Sequence, residues 1–290
     1  MGEKILHLLH YKYTDIIKEI KEIKNSGWTV IQTAPPQESS KGYEWWRDYQ
    51  PLSFKIGNRH GTKEELKELC VAANKIGIKI IVDVVLRHTA TDFGALTPSI
   101  HVDKNIRENK KFFTNSDNIT DYNDRNQTVK GSLGLPMLDY NNCDLQNIYI
   151  DFLQELKDMN VSGFRVDMAK HFSTPSEGSN FWSNVFGRFS EMFNYGECIG
   201  ASRELLDQYT PYINTLGANH ATDKSKSVVF FESHDTFLNE NGETQRLNDT
   251  ELIKGWKDIT QENRESSQIF YARPYSNLWK CEAIKKINLL

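Results

Sequence analysis

Acidic and imidazole side chains stand at the ends of several short apolar runs in this 290-residue sequence. His88 follows the run IKIIVDVVL, and the segment GFRVDMAKH places Arg165 two residues before Asp167. Glu197 ends the segment YGE, and Asp235 ends FFESHD. Carboxylates and histidines gathered at such strand ends suit nucleophilic and general acid–base chemistry.

The spacing of these residues suggests a catalytic role for each of them. Residues two apart in a strand point to one face, so Arg165 and Asp167 should lie side by side, and we expect the guanidinium to keep Asp167 ionised as a nucleophile. Glu197 then serves as the proton donor. Two carboxyl groups about 5–5.5 Å apart would support double displacement with retention of configuration. Asp235 would stabilise the positive charge that develops on the substrate.

The elements that must position these groups alternate between apolar runs and amphipathic helices. Such alternation predicts parallel strands with right-handed crossovers. The predicted strands span residues 5–9, 28–33, 78–86, 161–168, 193–199, 228–233 and 269–272, with 214–218 as a weak eighth. Eight units of this kind form an α/β fold of the (β/α)8 TIM-barrel type, whose functional groups collect at the carboxyl ends of the strands.

Helices are predicted between these strands, and one region breaks the rhythm. Thr62 and Glu65 have the spacing of a capping box at the start of a helix. The predicted helices span residues 13–25, 62–76, 145–159, 181–189, 203–213 and 252–263. Residues 89–143 are rich in Asn, Asp and Thr and have little periodicity. We therefore predict a barrel from residues 1–88 and 144–290, with an inserted loop-rich domain B at 89–143.

Composition favours an ordinary globular protein and excludes some partners. The net charge of −4 gives no support for a nucleic-acid or anionic-membrane partner. No run of about 18 apolar residues occurs, and no signal peptide is evident. The four scattered cysteines favour a reduced protein, with Cys198 an inert buried thiol. These features predict a cytoplasmic location, with secretion left open.

The four blocks that carry the acidic and histidine residues resemble, in order, the conserved regions of the α-amylase family, glycoside hydrolase family 13. The segments WWRDYQP at 45–51 and LPMLD at 135–139 resemble further family segments. The resemblance covers nearly the whole chain and implies a catalytic barrel without a C-terminal accessory domain. It implies that Asp167 forms a glycosyl ester, that Glu197 is the general acid and base, and that Asp235 binds sugar hydroxyls.

The resemblance also implies a set of substrate-binding residues around these acids. They are Tyr49, Trp46, Gln50, His88, Arg165, Lys170, His171 and His234. Tyr49 would stack on the sugar before the cleaved bond, while Lys170 and His171 would line the subsites after it. Two other interpretations stay open, since His88 and His234 could be satisfied buried histidines and Trp46 could pack a loop. Asp83 is expected to be structural.

Several positions depart from the family pattern. Arg87 and Met137 stand where many amylases have an Asn and an Asp that bind calcium, so we predict that this calcium site is absent or weakened and that no cofactor is needed. One hypothesis is that the Arg87 guanidinium supplies the lost positive charge. Ser233 replaces an Asn of chloride-activated enzymes, so chloride activation is not expected. The short segment between Glu197 and His234 predicts a trimmed sixth barrel unit and a more open cleft.

Three functions fit these residues. The first is hydrolysis of α-1,4-glucosidic bonds in starch, glycogen or maltooligosaccharides, with an α-glucan as partner. The second is transglycosylation or isomerisation of a short α-glucoside. The third is a catalytically inactive α-glucan-binding barrel, against which the presence of all three carboxylates speaks. The oligomeric state is left open.

Overall fold

Runs of β-branched and aromatic residues form short parallel strands that close into a barrel. The computed structural model describes residues 2–92 and 96–290. The strands are β1 (Lys4–Leu8), β2 (Val30–Thr33), β3 (Gln37–Ser39), β4 (Pro51–Asn58), β5 (Gly61–Thr62), β6 (Lys79–Val84), β7 (Gly163–Val166), β8 (Tyr195–Glu197), β9 (Asn214–Leu216), β10 (Ser227–Phe230) and β11 (Ser267–Tyr271). The barrel order is β1-β11-β10-β9-β8-β7-β6-β2, and all neighbouring strands are parallel. The predicted TIM barrel is confirmed, including its weak strand β9.

Amphipathic helices surround the barrel. They are α1 (Tyr13–Asn25), α2 (Lys63–Lys75), α3 (Lys104–Arg107), α4 (Arg125–Lys130), α5 (Cys143–Asp158), α6 (Phe181–Asn184), α7 (Arg203–Tyr209), α8 (His234–Leu238), α9 (Asp249–Glu262) and α10 (Glu282–Asn288). The predicted capping box of α2 is present, with both Thr62 and Glu65 accepting from each other's backbone N–H. None of these described helices is long and apolar enough to cross a bilayer. The cytoplasmic location stays a prediction.

Apolar side chains fill the barrel interior below the strand ends. Strands alternate their side chains between the interior and the helical layer. The interior cluster consists of Ile5, Val30, Ile81, Tyr195, Leu216, Val228 and Ile269. This packed layer closes the barrel beneath the polar residues, so those residues can face only the carboxyl ends of the strands.

Two helices are shorter than predicted. The segment 181–189 does not form one helix, because α6 gives way at Val185 to a 3-10 turn, Phe186–Phe189. Helix α7 ends at Tyr209; Thr210 still has helical dihedral angles, but Pro211 has no N–H to continue the helical hydrogen bonds. Between β9 and β10 the described chain has only a 3-10 turn, Lys224–Lys226, so the sixth unit is trimmed as predicted.

The connection after β2 contains structure that the sequence analysis missed. Strands β3, β4 and β5 form a small antiparallel sheet, and a 3-10 helix, Trp45–Tyr49, lies between β3 and β4. Residues 89–143, named the excursion below, return to the barrel through an isolated bridge between His88 and Met137. The division of the chain into a barrel and a domain B stays a prediction.

Candidate active site

The ends of neighbouring strands bring the predicted acids together. Asp83 lies in β6 and is paired in register with Arg165 of β7, so their side chains are neighbours. Asp167 follows β7 directly, and Glu197 is the last residue of β8. Asp235 lies in the first turn of α8, after β10. All of these positions are at the carboxyl end of the barrel, where TIM-barrel sites form.

A single buried guanidinium contacts three of the carboxylates. Arg165, which is 1% exposed, places its Nη1 2.8 Å from an Asp167 oxygen. Its Nη2 is 3.1 Å from a Glu197 oxygen, and its Nε is 3.3 Å from an Asp83 oxygen. Acids from three strands therefore converge on one cation, and the cluster carries more negative than positive charge when all are ionised.

This crowding changes the protonation expected for Asp167. Burial raises the pKa of Asp167 well above its ordinary value, and the Arg165 contact opposes that rise, whereas the charges of Glu197 and Asp83 add to it. Burial also raises the pKa of Asp83 to about 6. Arg165 lowers the pKa of Asp167, as predicted, but burial and the neighbouring carboxylates outweigh its effect, so the net shift is upward. Desolvation and like charges favour a proton held within the cluster.

The third acid lies in a more open position. The Asp235 side chain is 39% exposed, against 10% for Asp167 and 18% for Glu197. One of its oxygens accepts from Asn239 at 3.4 Å, and the other lies 3.5 Å from His234 Nε2. Burial still raises its pKa. Its exposure leaves Asp235 able to meet a ligand from the cleft.

A strained backbone residue lies between the two central acids. Met168, next to Asp167, has a left-handed conformation with φ 53°, which costs a non-glycine residue on the order of 1–3 kcal/mol. In this conformation its N–H donates to a Glu197 oxygen at 3.0 Å. The sequence analysis missed Met168, because a backbone donor has no signature in the sequence.

Asp83 belongs to the support beneath the site. It is fully buried and accepts from the Tyr49 hydroxyl at 2.6 Å and from Gln32 Nε2 at 3.3 Å. Tyr195 in turn donates to Gln32 at 2.6 Å. This network fits the structural role expected of Asp83.

The acids lie in a cleft of about 470 Å³. Every predicted site residue except Arg165 lines it, and Arg165 lies beneath, beside a smaller cavity. The predicted lining residues are Asp167, Glu197, Asp235, Tyr49, Trp46, Gln50, His88, Lys170, His171 and His234. Six further residues line the cleft, which are Trp45, Tyr122, Leu133, Leu135, Met168 and Ile199. The sequence analysis contained Trp45 and Leu135 within the family-like segments 45–51 and 135–139 and did not single out the other four. Large apolar residues within polar loops were the signal that could have found Tyr122 and Leu133.

The histidines of the cleft are neutral at pH 7. Burial lowers the pKa of His88 to about 4 and that of His234 to about 3. The His88 ring lies 2.7 Å from the Tyr49 carbonyl, and the His234 ring stacks on Tyr49 with centroids 5.3 Å apart. Both histidines are buried and both also line the cleft. Neutral imidazoles can donate and accept hydrogen bonds, as sugar hydroxyls require.

A (β/α)8 barrel with three carboxylates at its carboxyl-end cleft, two of them on one arginine, defines the class of α-amylase-like barrels. Comparison with known families agrees with this class. The family model described as "Alpha amylase, catalytic domain" matches residues 13–236. The chain belongs to the α-amylase catalytic-domain family.

Individual relatives show the extent of the similarity. An α-amylase of Clostridium acetobutylicum is 28% identical over an alignment of 327 positions, gaps included. The alignment covers 98% of this chain and 42% of the relative. This chain thus spans less than half the length of that relative. An Anoxybacillus α-amylase structure superposes with a TM-score of 0.76 at 17% identity, covering 99% of this chain and 78% of the other. The α-amylase of Geobacillus thermoleovorans complexed with acarbose has a TM-score of 0.76 at 18% identity, with 99% and 77% covered. These structures share the fold.

Proposed function

We propose that the protein is a retaining glycosidase that hydrolyses α-1,4-glucosidic bonds in starch, glycogen or maltooligosaccharides. The observation that carries this proposal is the contact of Asp167 and Glu197 with the same Arg165 guanidinium, at the floor of a cleft. A shared guanidinium brings the two carboxyl groups close together. Retaining glycosidases keep this pair about 5–5.5 Å apart, whereas inverting enzymes need about 6.5–9.5 Å to admit water.

In the first chemical step, Asp167 attacks the anomeric carbon while Glu197 gives its proton to the departing glycosidic oxygen. The carbon–oxygen bond to the leaving sugar breaks as the ester bond to Asp167 forms. Asp235 faces the cleft and stabilises the positive charge on the ring at the transition state. The leaving sugar keeps the proton that Glu197 held.

In the second step, Glu197 takes a proton from water, and the water oxygen displaces Asp167. Formation of the ester has removed the negative charge of Asp167, which is a close neighbour of Glu197 on Arg165. Glu197 therefore acts as the base beside a neutral ester, while it still contacts the Arg165 cation. The Met168 N–H, which donates to Glu197 at 3.0 Å, holds the carboxyl group in place through both steps.

The walls of the cleft suit a neutral oligosaccharide. Trp45 and Trp46 both line it, and Trp46 is 40% exposed, so their rings can pack against sugar faces. The neutral histidines supply donors and acceptors without a charge. The Geobacillus relative was solved with acarbose, which supports an oligosaccharide ligand for this cleft as well.

The proposal is tested by incubating the purified protein with maltoheptaose and following product length by chromatography and anomeric form by NMR. We expect shorter maltooligosaccharides whose new reducing ends appear first as the α-anomer. Asp167→Asn and Glu197→Gln should lose this activity, whereas Asp151→Asn, at an exposed position of α5, should keep it.

Other outcomes would replace the proposal with a different function. Products longer than the substrate would indicate transglycosylation. A β-anomer as first product would indicate inversion. A folded wild-type protein that binds maltoheptaose without turnover would indicate an inactive binding barrel.

A further inference from the structure

A second buried arginine ties together three segments of the chain. Arg87 follows β6 and is 1% exposed. Its Nη1 donates to the Leu138 carbonyl at 2.6 Å, its Nη2 to the Val129 carbonyl at 2.8 Å and its Nε to the His171 carbonyl at 3.2 Å. The guanidinium also lies 4.9 Å from the Tyr140 ring centroid. Its partners belong to the excursion on one side and to the segment after Asp167 on the other.

A third arginine holds the same segment from the other side. Arg125, the first residue of α4, donates to the Lys170 carbonyl and, at 2.9 Å, to the Phe172 carbonyl. Its other contacts are with the Glu177 carboxylate at 2.8 Å and the Tyr209 hydroxyl at 3.0 Å. Three successive carbonyls, at residues 170–172, are therefore each bonded to a guanidinium. We name Arg87 and Arg125 the arginine clamp.

The clamp lies one step from the catalytic residues. The His171 N–H donates to the Met168 carbonyl at 2.8 Å, and the Met168 N–H donates to Glu197. The segment that the clamp holds therefore also orients a donor to Glu197. In addition, His171 Nδ1 lies 2.9 Å from the Thr128 carbonyl, which adds a further link between the excursion and this segment.

The residues around Arg87 do not fit the calcium ion that the family resemblance implies. Calcium requires about 6–8 oxygen ligands. Here a guanidinium and the thioether of buried Met137 take the two side-chain positions, and the neighbouring carbonyls already accept N–H donors. Asp139 is the nearby carboxylate, and it accepts from the Asn141 N–H. Within the described chain no group of three or more His, Cys, Asp or Glu side chains could hold a metal.

We propose that the arginine clamp performs in this protein the structural work of a bound calcium ion, so that the excursion docks on the barrel without a divalent cation. Each guanidinium offers several N–H donors in a fixed plane and keeps its charge when buried. It can therefore satisfy carbonyls from separate segments at once, as a cation would. This proposal does not depend on the proposed activity, because folding and metal binding test it directly.

The first experiment uses the wild-type protein, purified without chelator. Metal analysis should find no stoichiometric calcium, and thermal melts in EDTA and in millimolar calcium should agree within about 1 °C. One tightly bound calcium per chain, or a fall in Tm of several degrees in EDTA, would overturn the proposal.

Variants sharpen the result. Arg87→Met and Arg125→Met should each lower Tm, and calcium should restore neither, because the carbonyls lose their guanidinium donors and no oxygen ligands are gained. The double substitution Arg87→Asn with Met137→Asp supplies two oxygen ligands, and its Tm should rise with calcium concentration. Unchanged melting in both single variants would contradict the clamp. If the double variant had the same Tm with and without calcium, the proposal that the arginine clamp replaces a calcium site would be contradicted.

Discussion

Two buried arginines in this protein have similar surroundings and opposite consequences. Arg165 and Arg87 are each 1% exposed, and each contacts oxygens from three different chain segments. The partners of Arg165 are carboxylates, which carry charge and titrate. The partners of Arg87 are backbone carbonyls, which do neither.

The charge of the partners decides what each arginine does. Around Arg165, the number of protons in the cluster can change, so the site can pass a proton during a reaction. The carbonyls that Arg87 contacts do not titrate, so these contacts form a cross-link that does not depend on pH. The same side chain thus serves a reactive centre in one region and a structural joint in another.

The largest effect should come from removing the nucleophile. Asp167→Asn should lower kcat on maltoheptaose on the order of 10⁴-fold or more, as loss of a catalytic nucleophile does. Thermal stability should not fall, because the amide removes a buried charge that crowds Glu197 and Asp83. Initial rates and thermal melts measure both quantities. A variant that retains a tenth of the activity would exclude Asp167 as the nucleophile.

Removing the cation at the reactive centre should affect both activity and stability. Arg165→Met leaves the buried carboxylates without their cation, which costs about 3–5 kcal/mol in unfolding free energy. Because Arg165 lowers the pKa of Asp167, its loss raises that pKa further. The reaction needs ionised Asp167, so the acid limb of the kcat/KM profile should move to higher pH. Arg165→Lys keeps the charge and should show a smaller shift, and an unmoved limb in both variants would contradict the electrostatic account.

Removing the cation at the structural joint should affect stability more than the pH dependence of activity. Arg87→Met removes a donor from three buried carbonyls, of which Leu138 keeps the Tyr140 N–H at 3.1 Å while Val129 and His171 are left unsatisfied. Each unsatisfied group costs about 1–3 kcal/mol before relaxation. We expect the free energy of unfolding in urea to fall by about 3 kcal/mol. The acid limb of kcat/KM should stay in place, since the lost partners do not titrate. If the acid limb of the Arg87→Met profile moved as far as that of Arg165→Met, the two arginines would not differ in the way proposed.

The smallest effect should be a pH dependence that arises from Asp83. Burial raises its folded-state pKa to about 6, above the ordinary value of 3.8. The folded protein therefore binds more protons than the unfolded chain between these values, and this contribution to stability is lost as pH rises through about 6. Asp83→Asn removes this pH-dependent contribution. The free energy of unfolding of the variant, relative to that of the wild type, should therefore be higher at pH 7 than at pH 5. Urea unfolding of both proteins at pH 5 and at pH 7 measures this change. The same difference in unfolding free energy at the two pH values would contradict the prediction.

Much of this site could be predicted from the sequence because its parts lie at strand ends. The run IKIIVDVVL can only be a buried strand, and the polar residues beyond such runs meet at one end of a barrel. The acids and the histidines were found in this way, whereas Trp46 was named only through the family resemblance of the segment 45–51. Strand β9 was the weakest prediction, since its three residues carry little pattern.

The features of the site that could not be predicted depend on contacts that do not require a particular residue type. Arg125 begins the short helix α4 in a polar stretch of the sequence, and its main partners are carbonyls, which every residue possesses. Met168 acts through its N–H. The protonation of Asp167 could not be predicted from its neighbour Arg165 alone, because it depends on burial and on three further acids from other parts of the chain, Glu197, Asp83 and Asp235.

The proposed mechanism requires Asp167 to form a covalent bond to the sugar, and trapping that covalent intermediate tests the requirement directly. Glu197→Gln is incubated with α-glucosyl fluoride, whose leaving group needs no proton, and the protein is then digested and analysed by mass spectrometry. Without Glu197 to activate water, the ester should accumulate, and we predict a single hexosyl group on the peptide that contains Asp167. Fluoride release without any adduct, or an adduct on a different residue, would contradict the proposed mechanism.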